Sequence, residues 1–291
     1  MKGYLVISHL KIQNANALSS PYTIGFPAMT SWLGGVHALQ RKLNQSGFED
    51  LKFMSVAVCS HRMDLQTFRG PGDFHSSIIG TSNPLNAEGK RTSFIEEARC
   101  HLDVSLVIEY ESKDELNLEL IRNLLYSGLK IAGGDILNLR KLIIFNEEEK
   151  DRVMRRLMPG YVVVGRQDLM NGSDEDPMTT ILDYLTLQHR SEQNDKEEIT
   201  WTSKRKIAGW ILPIAVGFYG VTPLGRAKNQ RDPDKPHCFA ESIVTLGEFI
   251  MPYRIKDIDM MLWHYDYNSK DRLYLCKQNK PYEITNGEVN E

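Results

Sequence analysis

Eight histidines, at positions 9, 37, 61, 75, 101, 189, 237 and 264, are the side chains of this 291-residue sequence able to exchange protons near neutral pH. His61 beside Arg62, and His75 in a Gly-rich stretch, are the candidates for a general base in metal-independent RNA cleavage. His237 next to Cys238 would need distant partners to hold a metal, so the dipeptide reads as structural. The four cysteines, at 59, 100, 238 and 276, are far apart and form no C-x-x-C pair, which fits reduced thiols in a cytoplasmic protein. Glu96-Glu97 reads as a helix start. The common nucleotide, dinucleotide, zinc-protease and hydrolase signatures are missing, and no cofactor or metal is implied.

A second kind of chemistry is concentrated in Gln13 to Pro27, QNANALSSPYTIGFP. Gln13, Asn14 and Asn16 are amides, Ser19 and Ser20 are hydroxyls, and the stretch carries no charge. Amides donate and accept at base edges and hydroxyls reach phosphate oxygens, so these residue types suit reading a strand. The alternative is an Asn/Ser-rich turn with helix capping. Phe26 is expected to pack on the helix start.

Charge is segregated along the chain although its net value is only -3. Residues 1 to 48 contain no acid, and neither do 200 to 231, where Lys204, Arg205, Lys206, Arg226, Lys228 and Arg231 occur. Residues 171 to 198 hold eight acids against Arg190 and Lys196. Lys204, Arg205 and Lys206 are therefore expected either to face phosphate, on RNA or DNA, or to be an ordinary solvated cluster at the end of the acidic stretch.

The elements that must position these groups follow from periodicity. Tyr4 to Ile12 alternates as a half-buried strand, which explains the apolar amino terminus better than a signal peptide, and a linker then leads to a helix over 28–45. Strands are predicted at 53–63, 101–110, 160–165, 210–218 and 272–277, and helices at 114–127, 147–157, 178–189, 240–249 and 256–264. Leu129 to Phe145 holds Gly133-Gly134 and a further strand or hairpin, 68–92 is a long loop, and 190–198 is a solvated linker. Pro213 argues against a central place for its strand. Strand, helix, strand, strand, helix, strand is the order of the ferredoxin-like fold, so the fold class is α+β: a ferredoxin-like RNA-binding core over 1–145, a mainly helical insertion over 146–200, and an α/β region over 201–291. No run is long enough to span a membrane, and no membrane partner is expected.

The block QNANALSSPYTIGFPAMTSWLGGVHALQRKL closely resembles the opening of the second subunit of the Csy complex, the type I-F CRISPR surveillance complex. VAVCSHR, NPLNAEG, EEARCHLDVSL, IAGGDIL, RRLMPGYVVV, GWILPIAVGF and LGEFIMPYR follow in the family's order, while 167–200 is shorter than the family pattern and 226–232 matches loosely. The resemblance implies a non-catalytic, ferredoxin-like subunit that grips the 5-prime handle of the CRISPR RNA. It also implies pairing with the large subunit and contact with the first copy of the backbone subunit, with target double-stranded DNA near the complex tail. Under it, Gln13, Asn14, Asn16, Ser19 and Ser20 contact the handle, and His61, Arg62 and Arg140 make phosphate or stacking contacts. Gly133 and Gly134 either let backbone approach the RNA or make a plain strand-edge turn. The alternative is a metal-independent CRISPR endoribonuclease of the same superfold.

Overall fold

The computed structural model describes residues 1–79, 85–91, 97–193, 199–230 and 232–282. The amino-terminal half runs β1 (Lys2–Asn16), a small hairpin β2 (Leu18–Ser20) and β3 (Thr23–Ile24), α1 (Met29–Gln45) and β4 (Lys52–Leu65). A second small pair, β5 (Thr67–Phe68) and β6 (Ser77–Ile78), precedes β7 (Arg99–Glu111) and α2 (Leu118–Tyr126). The hairpin β8 (Lys130–Ile131) and β9 (Gly134–Asn138) then leads to β10 (Lys141–Asn146). Strands β10, β1, β7 and β4 lie side by side in that order, each antiparallel to its neighbour, and β9 extends the β10 edge of β1.

One face of this sheet is apolar along its whole length, through Leu5, Ile7, Leu10 and Ile12 of β1 and Leu102, Val104, Leu106 and Ile108 of β7. Helices α1 and α2 cover it with Met29, Trp32, Val36, Leu39, Ile121 and Leu125. Phe26 stacks on Trp32, centroids 5.4 Å apart, and meets Phe249 edge-on at 5.3 Å, fixing the entry to α1 as the aromatic residue before the helix suggested.

The remaining strands build on β4. After α3 (Lys150–Arg156) come β11 (Tyr161–Gly165), α4 (Gln167–Asn171) and α5 (Pro177–Leu185). The ribbon β12 (Gln188–Gln193) and β13 (Ile199–Lys204) precedes β14 (Ile211–Gly220), β15 (Ala240–Ile250), β16 (Trp263–Asn268) and β17 (Leu273–Gln278). The path β11, β15, β14, β17, β16 starts and ends on the free edge of β4, so with β4 it closes a ring. Trp263 donates from its indole to the Val163 carbonyl at 3.0 Å and ties the two ends of that ring together.

Several expectations change here. Residues 240–250 form a strand, not a helix, because β11 and β14 satisfy β15 from both edges. Residues 256–264 hold one 3-10 turn, Ile258–Met260, and the start of β16 in place of the predicted helix. The predicted linker over 190–198 is, in its described part, the ribbon β12–β13, which pairs only with itself. Pro213 lies in a strand with two neighbours, but β17 pairs only Gly217 to Tyr219, so the proline occupies a stretch whose second edge needs no N–H donor. Strand β1 continues to Asn16, so Gln13, Asn14 and Asn16 are strand residues and not linker residues. No helix of the described residues is long and apolar enough to cross a membrane.

Arg166, at the end of β11, is only 2% exposed. It grips Asp168 with Nε at 2.9 Å and Nη2 at 2.8 Å, and its remaining arm bonds Glu248 of β15. Burial pushes the Glu248 carboxyl up, and the guanidinium opposes that shift. Arg166→Met would strand a buried carboxylate, so chemical denaturation should show a loss of about 3–5 kcal/mol. A loss below about 1 kcal/mol would mean the arginine does not hold β11 to β15.

Candidate nucleic-acid interface

The opposite sheet face is divided. Around Tyr4, Val6, Ala57, Cys59 and Val107 it is closed by Phe145, by Val153 of α3, and by Leu157. Beyond Ser105 it is open, and the side chains alternate polar: Lys11 and Gln13 on β1, His101 and Asp103 on β7, Arg62 and Asp64 on β4.

Two β-bulges mark the boundary. Ser8 and His9 are inserted where Ile7 faces Leu106 and Leu10 faces Val104; His61 is inserted where Ser60 faces Val104 and Arg62 faces Asp103. An extra residue resets which face later side chains take, and it turns the bulged one outward. His9 accordingly has φ +49°, and its ring stacks on His61 with centroids 4.1 Å apart and planes 22° apart.

Ser105, opposite the β1 bulge, serves both strands. Its Oγ accepts from the His9 backbone N–H at 3.1 Å and lies 2.7 Å from His61 Nε2. His61 Nδ1 is 2.6 Å from the Pro159 carbonyl, which can only accept, so the ring proton sits on Nδ1 and Nε2 receives the Ser105 hydroxyl. Burial, the largest influence, pushes the His61 pKa down. Gly160 makes this approach possible, since a Cβ there would meet Cys59 Sγ at 2.5 Å, the Leu157 carbonyl at 2.7 Å and His61 Nδ1 at 2.8 Å.

Next to the stacked rings is a cleft of about 380 Å³ lined by Ser8, His9, Arg140, Lys141, Arg155 and Arg156. None of these four cations has a carboxylate within 4.0 Å among the described residues. On the other side of the His9–Asp103 contact, 3.0 Å long, lies a second cleft of about 300 Å³ that includes Gln13, Arg62, Asp64 and His101.

The sequence candidates thus separate into groups. Gln13 and Arg62 share the smaller cleft, while Arg140 lines the cationic one with His9, on whose ring His61 stacks. Asn14 occupies another bulge at φ +56°, a conformation asparagine tolerates, and its backbone N–H donates to His101 Nδ1 at 3.1 Å. The Asn16 amide is engaged with the Leu18 backbone, donating at 3.0 Å and accepting at 3.1 Å. Ser19 and Ser20 hydrogen-bond Thr23 Oγ1 at 2.8 and 2.7 Å within the β2–β3 hairpin.

Gly133, at φ +73° after Ala132 at +50°, makes the β8–β9 turn, and with Asn16 and Arg99 it lines a third hollow of about 620 Å³. A Cβ on Gly134 would strike Ala15 N and the Gln13 carbonyl at 2.8 Å, so this glycine lets β9 approach β1. Lys204, Arg205 and Lys206 lie apart, at the base of the β12–β13 ribbon. Lys206 is paired with Asp183 at 3.1 Å and sits 4.5 Å over the Tyr184 ring, and Arg205 reaches the Gly209 carbonyl at 3.5 Å.

The motif reading missed His9, Asp103, Lys141, Arg155 and Arg156 as site residues. The dipeptides Arg140-Lys141 and Arg155-Arg156 were a visible signal; His9 and Asp103 were not, because only the bulges bring them to this face.

Comparison with known proteins gives a consistent assignment. The family model described as CRISPR-associated protein (Cas_Csy2) matches residues 5–276. The chain belongs to this family. The CRISPR-associated protein Csy2 of Pseudomonas aeruginosa (strain UCBPP-PA14) is 30% identical over 308 aligned positions, covering 93% of this chain and 93% of the relative. The resemblance carried by the motif blocks therefore holds over most of the chain.

The depressed His61 pKa sets a pH dependence with a definite sign. The folded form resists protonation relative to the unfolded chain, so stability is full above pH of about 6.5 and falls as pH drops below it. His61→Gln should flatten that acid limb in thermal melts between about pH 7 and 5. An unchanged limb would assign it to other groups.

Proposed function

We propose that this chain is a non-catalytic subunit of a type I-F CRISPR RNA-guided surveillance complex in the cytoplasm, and that it holds the 5-prime handle of the CRISPR RNA on the open half of its sheet. It pairs with the large subunit and abuts the first copy of the backbone subunit. The observation that carries the reading is the cleft of four cations without acidic partners among the described residues, in a chain whose net charge is -3. Cations held next to one another repel, and a phosphodiester relieves that repulsion and can accept from each guanidinium.

The order β1, α1, β4, β7, α2, β10, with strands arranged β10-β1-β7-β4, supports a ferredoxin-like core. Modules of this build bind single-stranded RNA on an open sheet face. A non-catalytic role is supported at His61, whose two ring nitrogens are already occupied by Pro159 and Ser105. Lys204, the last residue of the exposed ribbon, and Arg205 beside it are offered to the target duplex near the tail of the complex, since a two-stranded ribbon fits a major groove.

Each phosphate contact to a single strand adds about 0.7 to the slope of log affinity against log salt. Arg155→Gln with Arg156→Gln should therefore flatten the slope for handle RNA by about 1 to 1.5 and leave thermal stability near that of the parent, since both side chains are exposed. An unaltered slope would remove the cleft from the interface. Repeat RNA incubated with the chain should stay intact; products that disappear with His61→Gln or His75→Ala would establish the endoribonuclease instead.

Asn14→Gly keeps the left-handed backbone and Asn14→Ala strains it. Equal loss of handle affinity in both would mark the amide as a contact, at about 1–3 kcal/mol. A loss confined to Asn14→Ala would mark the bulge.

A further inference from the structure

The smaller cleft differs in kind from its cationic neighbour. Arg62 and Asp64 stand two residues apart on the same face of β4, and residues so spaced on a strand are about 6.6 Å apart, close to the width of a nucleobase. Neither side chain has a hydrogen-bond or ion-pair partner among the described residues, and the same is true of the Gln13 amide. Asp103 spends one carboxylate oxygen on His9, and its other has no partner among the described residues. His101 accepts the Asn14 N–H on Nδ1, so the neutral ring carries its proton on Nε2, and its flat face and Leu137, 57% exposed, supply apolar wall. A volume of about 300 Å³ with donors and acceptors side by side and two apolar surfaces is poorly matched to a phosphate and well matched to a base.

We propose that this cleft receives one unstacked base of the bound strand and selects guanine. The inference rests on the strand-binding reading above, because the contacting pair His9 and Asp103 joins the two clefts, His9 lining the cationic one and Asp103 this one. A backbone phosphate in the larger cleft would thus bring its own or the adjacent base to the smaller one. Guanine places two donors, N1–H and the N2 amino group, on one edge, which a carboxylate such as Asp64 accepts in a bidentate pair. It places two acceptors, O6 and N7, on the next edge, which the Arg62 fork donates to. Adenine offers one amino donor and no adjacent N–H to the carboxylate, and the pyrimidines lack the second acceptor edge. Extruded bases in single strands are commonly read in this way, by their edges with the ring face packed on a side chain.

The test uses the full chain at low salt. Saturation-transfer NMR titrations with GMP, IMP, AMP, CMP and UMP are compared with competition against a labelled single-stranded RNA octamer, with and without one guanine. GMP should bind at least about tenfold more tightly than AMP or the pyrimidine nucleotides, and IMP, which lacks the N2 amino group, should lose most of that margin. Asp64→Asn and Arg62→Gln, both at exposed positions, should erase the preference without changing the melting temperature. Arg155→Gln with Arg156→Gln should lower octamer affinity and keep the preference for guanine. Octamers bound with equal affinity whatever their bases would overturn the guanine pocket and leave the strand-binding reading standing. Absence of any RNA binding would overturn both, and a chain that bound GMP but no octamer would have its cleft reassigned to free nucleotides.

Discussion

Strand β7 is paired along its length by β1 on one side and β4 on the other, and it must do two incompatible things. From Ser105 to Ile108 it is buried, with Leu106 and Ile108 under the helices and Val107 under the second apolar cluster. From Arg99 to Val104 only one face is apolar, and the other presents His101 and Asp103. The change occurs between Ser105 and Asp103, where β1 carries an extra residue opposite Ser105 and β4 carries one between the partners of Val104 and Asp103. An antiparallel ladder without bulges would run the same side-chain alternation through the whole strand. The insertions allow the apolar face to continue under α1 and α2 while the opposite face switches from core to polar surface.

The same insertions explain why the site is ordered. A residue pushed out of a ladder leaves backbone groups unpaired, and these need other partners. Here the His9 N–H finds Ser105 Oγ, the His61 ring finds Ser105 and Pro159, and the Asn14 N–H finds His101. Pro159 and Gly160 lead into β11, which pairs with β4 and is clamped to β15 through Arg166 and Glu248. The carboxy-terminal strands therefore brace the wall of the cleft although none of their own side chains lines it.

Cations fall into two groups by their surroundings. Lys2, Lys113, Arg152, Arg166, Lys277 and Lys280 are neutralised by nearby carboxylates. Arg140, Lys141, Arg155 and Arg156 converge from β10, its preceding turn and α3. Net charge averages over both groups, which is why a value of -3 says little about the field at one face.

The amino-acid sequence by itself determined the helices at 29–45 and 118–126, the strands β1, β4, β7, β11, β14 and β17, the α+β class and the family, because alternation and helical spacing are local and the motif blocks are long. It misread Ala240 to Ile250, whose apolar residues at 243, 244, 246, 249 and 250 suit a helical stripe as well as a strand; pairing with β11 and β14 decided the matter. It located Gln13, Asn14 and Asn16 as polar and uncharged, but not that they end a strand or that Asn16 is spent on its own turn. Above all, the meeting of His9, His61, Asp103 and Ser105 belongs to tertiary structure alone. These residues are up to 96 positions apart, and they share a face only because two bulges, each fixed by cross-strand pairing, shift the register of β1 and β4 against β7.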